Sequence, residues 1–348
     1  MSAVDDVVTE APAVEAVPKR AMTLGLGTSL VMLAALLLVP LFVKNFVIFQ
    51  LTMLLIYGIA VLALNILTGG SGQFSLGQSA FYAVGAYTSA ILMEHANMNY
   101  ALTLPIAGVI CFGFGYLFGK PALRLSGVYL ALATFALATA MPQILKLGFF
   151  EHWTGGVQGL VVTKPDAPEL VQSVLSLAQL KAMSQDMWLY YFTLAISIGI
   201  YIASINLLRS RSGRAFMAIR DNEIAASAMG VNVALYKTLA FGVSAGITGV
   251  AGGLGAIAVQ FVAPDGYTIL LAISLFLGMV VGGVGWLPGS LVGSAFIIFV
   301  PNIAESISKG LSGAVFGVLL FLVIFLVPHG ARQVAMVAQN LLGKLTKK

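Results

Sequence analysis

Charge is scarce in this sequence. Only 9% of its 348 residues are charged and 59% are hydrophobic, whereas water-soluble chains carry roughly 25% charged residues. With a mean hydropathy of +0.98, the composition excludes a soluble domain and gives a polytopic membrane protein. Cysteine is nearly missing as well: Cys111 is the single one and lies in an apolar run, so neither a disulfide framework nor a cysteine metal site is available. The three histidines, His95, His152 and His329, are far apart in the chain, which argues against a metal centre. No predicted span has an acidic residue in its interior, which counts against a proton relay. Sodium held by backbone carbonyls escapes that argument, so an ion-coupled secondary transporter stays open. A clustered acid, base and nucleophile set is missing too, which leaves an enzyme without visible machinery. A P-loop is not formed: Gly119-Lys120 is followed by Pro121, and Phe114 stands where the first glycine belongs. Energy for any active transport must then come from a partner or an ion gradient, and no cofactor is expected in this chain itself.

What the chain has instead is apolar runs of spanning length, where about 20 residues suffice for a helix to cross. Residues 1–20 hold Asp5, Asp6, Glu10 and Glu15 before Lys19 and Arg20, and are read as a disordered tail. Met22 to Val43 is too long for the apolar core of a signal peptide and reads as an uncleaved first span. Further segments follow at Phe46–Leu67, Phe74–Met93, Tyr100–Gly119, Gly127–Leu147, Trp188–Leu208, Thr238–Val262, Thr268–Val281, Ser290–Ile303 and Ala314–Val327. The expected fold is an all-α polytopic membrane protein of about ten hydrophobic segments, with a permease domain over residues 21–334 and a basic tail at 335–348. Residues 148–187 form the longest polar excursion, with a short interfacial helix expected from Glu169 to Met183. Trp188, Tyr190 and Tyr191 suit an aromatic belt. In the seventh segment Gly242, Gly246, Gly249 and Gly253 share one helix face, where small residues let backbones approach.

Two glycine-rich stretches interrupt these runs. Between Asn65 and Leu92, Gly69, Gly70 and Gly72 are expected to break a span in its middle, and Ser71, Gln73, Ser75 and Gln78 to set polar groups at bilayer depth. Non-helical backbone at that depth is tolerated only where protein or a watery cavity covers it. The second stretch, Gly282 to Gly289, contains Gly283, Gly285 and Trp286. GGSGQFSLGQSAF from Gly69 resembles GGVGWLPGSLVGSAF from Gly282. Paired interrupted segments in two halves of a chain point to a transport site whose half-helix N-termini offer N–H groups to a solute. Ser71 is expected to cap the first half-helix and Pro288 to open the second. For Gln73 and Gln78, bonding to solute and bonding between helices both remain open.

Basic residues set an expected orientation. With the N-terminus inside, Lys19, Arg20, Lys120, Arg124, Arg209, Arg211, Arg214, Arg220, Lys237, Arg332, Lys344, Lys347 and Lys348 fall inside and Lys44, Lys146, Lys164, Lys181 and Lys309 outside. That imbalance gives N-in and C-in, and accounts for the net charge of +5 without a nucleic-acid partner. Arg209 to Lys237 is then a cytoplasmic loop with a polar face for a soluble partner, or an interfacial helix on lipid headgroups.

At six stretches the chain resembles the LivM-type permease family of bacterial branched-chain amino acid ABC transporters. They are LTGGSGQFSLGQSAFYAVGAYTSAIL from Leu67, PALRLSGVYLALAT from Pro121, WTGGVQGL from Trp153, GRAFMAIRDNEIAASAMGV from Gly213, QFVAPDGYT from Gln260 and VVGGVGWLPGSLVGS from Val280. The resemblance implies a permease subunit in the bacterial inner membrane. Its implied partners are a second homologous permease, two ATP-binding cassette subunits that use the ATP, and a periplasmic solute-binding protein. EIAASAMG from Glu223 resembles the loop by which ABC importers dock on their ATPases, which implies coupling roles for Gly213, Arg214, Arg220, Asp221, Glu223, Ala225, Ala226 and Gly230. The implied substrate pathway takes in Gly70, Ser71, Gly72, Gln73, Ser75, Gln78, Gly283, Gly285 and Trp286. The chain departs from the family at Thr139 and Pro142, where an acidic residue followed by Arg is usual, at Asp265 in place of Glu, and at Ala331 in place of Leu. The first departure leaves branched-chain amino acids, urea and aromatic acids open as solutes.

Overall fold

A computed structural model describes residues 36–122, 127–168 and 184–307, with positions 317, 318, 321, 325, 330 and 331. The expected helix at Glu169–Met183, the tenth segment and both tails lie outside the described residues, except for a few positions of that segment. The architecture is all-α, as a spanning chain requires when lipid offers no partner to backbone groups. Its helices are α1 (Asn45–Asn65), α2 (Gln78–Ala96), α3 (Tyr100–Ala122), α4 (Val128–Leu145), a single turn α5 (Glu151–Thr154), α6 (Gln185–Arg209), α7 (Arg211–Asp221), α8 (Glu223–Ala228), α9 (Val233–Val259), α10 (Ile269–Gly282) and α11 (Gly289–Ile307). Among the described residues, five helices are long and apolar enough to cross a membrane, and two shorter apolar ones accompany them.

Helix α1 continues without interruption through a π-turn at Ile66–Gly70, giving one apolar helix from Asn45 to Gly70 of 26 residues. At about 1.5 Å per residue it is close to 39 Å long, more than the roughly 30 Å of a bilayer core. The expectation that the first glycine stretch interrupts a span midway is therefore corrected: Gly69 and Gly70 lie in the last turn of a complete span. The helix expected from Phe74 begins only at Gln78, after a non-helical passage over residues 72–77.

Helices α1 and α9 are buried over most of their surface and form the centre, whereas α3 and α6 turn most of theirs outward. The glycine face of α9 seats α3, as its spacing indicates. A Cβ at Gly246 would lie 3.0 Å from the Gly108 carbonyl oxygen, and one at Gly249 2.4 Å from Cys111 Sγ. Gly252 faces α2 with equal intimacy, its added Cβ falling 2.0 Å from the Tyr82 carbonyl oxygen.

Far from the glycine stretches, residues 148–168 fold over the bundle. Strand β1 (Leu160–Val161) pairs antiparallel with β2 (Phe261–Val262), Leu160 opposite Val262. Lys146 at the end of α4 binds Asp265 in the turn before α10, and Lys164 binds Asp186 at the start of α6. The aromatic residues of α6 bind neighbouring elements. Tyr190 is fully buried and donates to the Leu36 carbonyl, Tyr191 donates to Leu37, and Trp188 Nε1 donates to Tyr100 at 3.0 Å.

Candidate functional site

The end of α1 is built by glycines and short polar side chains. Gly72 turns the chain at φ +73, while Gly72 N–H donates to the Thr68 carbonyl and Gln73 N–H reaches back to Leu67. Ser71 does not cap the helix that follows: its hydroxyl donates to the Leu67 carbonyl at 2.7 Å and so closes the helix before it. Thr68 Oγ1 donates to the Gln73 carbonyl, and Gln73 Nε2 donates to Ser71 Oγ and to the Lys237 carbonyl at 3.1 Å. These polar groups bind down a backbone that has left its helix.

Beyond this turn the chain climbs along α9, and Ser75 and Gln78 move away from the glycines. Ser75 Oγ accepts from Gly77 N–H, and Leu76 N–H is taken by Thr134 of α4 at 2.9 Å. Gln78 Nε2 donates to Ser244 at 3.0 Å and Thr248 donates to Gln78 Oε1 at 2.7 Å, while Ser244 itself donates to the Ala63 carbonyl. Of the two readings open for Gln78, this geometry displays the bond between helices. Replacing Gln78 with leucine removes two such bonds and is accordingly expected to cost about 1.2 kcal/mol and no more than about 3.4, twice the range for a single polar contact between spanning helices. A thermal unfolding midpoint in detergent within a few degrees of the parent, with uptake retained, is the expected result.

The second stretch is the turn of a helical hairpin. A Cβ at Gly282 would fall 2.2 Å from the Gly289 carbonyl oxygen, so α10 and α11 meet backbone to backbone. Gly283 and Gly285 adopt φ of +103 and +78, Trp286 lies over Gly289, and Pro288 stands directly before the first turn of α11, as expected of it.

These two stretches touch. Gly69 lies so near the hairpin turn that an added Cβ would be 2.4 Å from Gly285 N. Asn65, one turn earlier on α1, donates from Nδ2 to the carbonyls of Gly283 and Trp286 and accepts the Gly285 N–H on Oδ1 at 2.7 Å. Asn65 is not among the pathway residues that the glycine stretches indicate. The apolar run from Phe46 to Leu67 has two amide side chains, Gln50 and Asn65, and Asn65 is the one beside the glycines.

Helix α7 sits against this junction, and α8 packs on α7 and α9. Ser210, Asn222 and Asn232 cap α7, α8 and α9 by accepting from Gly213, Ala225 and Leu235 N–H. Gly213 fits where the chain folds back, since a Cβ would fall 2.3 Å from the Leu208 carbonyl oxygen. Ala215, Phe216 and Ile219 form the buried face of α7, and Phe216 packs with Leu67 and Phe81, on either side of the first glycine stretch. Arg220 donates from Nη1 to the Gly69 carbonyl at 2.9 Å and from Nε and Nη2 to Asp221, and its stem covers Gly72. Gly230 ends α8 at φ +83. Its N–H binds the Ser227 carbonyl and the Val231 N–H binds Ala226, the Schellman arrangement that favours glycine.

The outward side of this segment carries Arg214, Asp221, Glu223 and Ala225, with Glu223 paired to Lys237, while Ala226 is buried. Two apolar side chains, Ile224 and Met229, are 83% and 85% exposed there. The structure thus brings Gly70, Gly72, Gly283, Gly285 and Trp286 together with Arg220, and leaves Ser75 and Gln78 outside that junction. Among the described residues no group of His, Cys, Asp and Glu is arranged to hold a metal ion.

The sequence profile of the family described as branched-chain amino acid transport system / permease component matches residues 46–327. The LivM permease proteins of the high-affinity branched-chain amino acid transport systems of Escherichia coli K12 and Salmonella typhimurium LT2 are each 34% identical over 247 residues, 67% of this chain and 58% of theirs. The chain thus spans little more than half the length of these relatives. A probable branched-chain amino acid transport permease protein LivH of Methanocaldococcus jannaschii is 25% identical over 243 residues, 69% of this chain and 73% of its own. No solved structure matches the chain. The chain belongs to the family of permease components of branched-chain amino acid transport systems.

Proposed function

We propose that this chain is the membrane-spanning permease subunit of an ABC importer of the inner membrane. On this reading it passes branched-chain amino acids or related small polar solutes from a periplasmic binding protein to the cytoplasm. The single observation that carries the proposal is the contact of Arg220 with the Gly69 carbonyl: the segment offered to a soluble partner is seated on the meeting point of the two glycine stretches. A second homologous permease completes the pathway, and two ATPase subunits using their own ATP dock on α7 and α8, whose end of the bundle is cytoplasmic. Both tails lie on that side, and residues 148–187 face the periplasm. Ile224 and Met229 add an apolar component to a docking surface otherwise charged. Among the described residues the buried hydroxyl of Ser79 in the first turn of α2 has no hydrogen-bond partner, in keeping with a polar lining beside the pathway.

Reconstitution with the partner subunits tests the reading. ATP-dependent uptake of a branched-chain amino acid that survives an ionophore is the expected result, and uptake that collapses with the ion gradient overturns it. Gly230→Val probes the docking end alone. No atom of the described residues lies within 4 Å of a Cβ there, so the effect is the left-handed backbone, roughly 1–2 kcal/mol for a residue other than glycine. The variant is expected to insert normally and to co-purify with less ATPase subunit than the parent.

A further inference from the structure

We propose that Asn65 and Arg220 act as a pair of positioning residues in the transport cycle, Asn65 holding the hairpin turn onto the end of α1 and Arg220 tying that contact to the docking segment. The inference rests on the importer reading and adds the route by which the docking segment reaches the pathway.

Asn65 is buried, 1% exposed, and among the described residues its amide engages the hairpin backbone alone: the carbonyls of Gly283 and Trp286 at 3.3 and 3.1 Å and the N–H of Gly285 at 2.7 Å. With Gly283 and Gly285 at positive φ, the Gly283 carbonyl accepts the Trp286 N–H and the Trp286 carbonyl the Gly289 N–H, so Asn65 gives each carbonyl a second donor and gives the Gly285 N–H its acceptor. Four residues along α1, on the same face, Gly69 touches Gly285 by its backbone and gives its carbonyl to Arg220. The two bonds therefore bracket one contact, from opposite sides of Gly69.

The two members differ in how readily they let go. Asn65 is enclosed, whereas the Arg220 side chain is 34% exposed and shared with Asp221, so water can take its place on the Gly69 carbonyl. Phe216 fixes α7 against Leu67, and Arg220 stands one turn further on, at the end of that helix. A shift of α7 under load from a docked subunit would draw Arg220 away from Gly69 while Asn65 still joins the hairpin to α1. The junction would then open on the docking side with its two halves in register.

The test uses the complete reconstituted transporter, measuring uptake and ATP hydrolysis together. In Arg220→Met, which retains the stem over Gly72 and removes the donor, the subunits should co-purify and binding-protein-stimulated hydrolysis should stay within about twofold. Uptake per ATP should fall about tenfold, the scale of one charge-assisted hydrogen bond. Arg220→Lys, which retains a donor, should recover most of the ratio. Asn65→Ala should lower the ratio as well, and the double variant should be no worse than the poorer single one. An independent readout is Val284→Cys at the half-exposed tip of the hairpin, in a chain whose one other thiol, Cys111, is buried. Its labelling by an impermeant maleimide should quicken when Asn65 is alanine. Unchanged coupling in Arg220→Met, or uptake and hydrolysis falling in proportion, overturns the pair. Should Asn65→Ala not accumulate, Arg220→Met and its lysine rescue decide alone. Failure of the parent complex to take up solute with ATP would sink the importer reading itself, which separates the two outcomes.

Discussion

Gly85→Val should leave no intact bundle. A Cβ at Gly85 would stand 2.0 Å from the Gly249 carbonyl oxygen and 2.5 Å from its Cα, so the obstacle is the backbone of α9, which cannot rotate aside as a side chain does. Moving α2 away would also pull Tyr82 off Gly252 and Gly255 and open the contacts of Ser89 with Gly253. Overpacking in a core costs about 1–3 kcal/mol where side chains can adjust, and two central helices in backbone contact offer less adjustment than that. Against a total stability of roughly 5–15 kcal/mol, the loss is large. Gly113→Val is the matched control, because no atom of the described residues lies within 4 Å of an added Cβ there. In detergent extracts Gly113→Val should elute as the parent does, and Gly85→Val should be lost to aggregate or degradation. A parent-like profile for Gly85→Val would show that α2 and α9 are not packed as described.

Much of this was legible in the sequence because lipid makes hydropathy decisive. The segments at 46–67, 100–119, 188–208 and 290–303 correspond to α1, α3, α6 and α11 to within a few residues, and the face of Gly242, Gly246, Gly249 and Gly253 does seat a neighbouring helix. Depth was not legible. A run of glycines shows that a helix stops but not how far along its axis, and α1 holds its hydrogen bonding through a π-turn to Gly70. Partner choice was hidden for a related reason. Gln78 could as well have faced solute, and only the placement of Ser244 and Thr248 on α9, some 170 residues on, gives it two neighbours inside the bundle. Asn65 and Arg220 are separated by 155 positions in sequence and are joined through the Gly69 carbonyl and its contact with Gly285, which no local pattern announces. The pairing of Leu160–Val161 with Phe261–Val262 is of the same kind, two residues long and without a strand signature.

The largest functional effect short of unfolding is expected at Gly72. Its φ of +73 lies in the region that a β-branched residue enters only with strain, and an added Cβ would meet Arg220 Cγ at 3.1 Å and Arg220 Cα at 3.3 Å. Gly72→Val therefore acts twice on one spot. It opposes the turn that ends α1, where the Gly72 N–H is bound to Thr68 and Gln73 to Leu67, and it presses on the helix end that holds Arg220 over the Gly69 carbonyl. The strain is of the order of 1–3 kcal/mol, too little to unfold a chain whose centre is α1 against α9, and applied where the docking segment meets the two glycine stretches. Insertion and the elution profile should match the parent while uptake in reconstituted vesicles falls by about an order of magnitude or more. Gly72→Ala, with the same backbone demand and less bulk against Arg220, should fall between the two. Uptake by Gly72→Val at the parent rate would mean that solute movement does not depend on this turn, and the pathway would have to be sought elsewhere in the bundle.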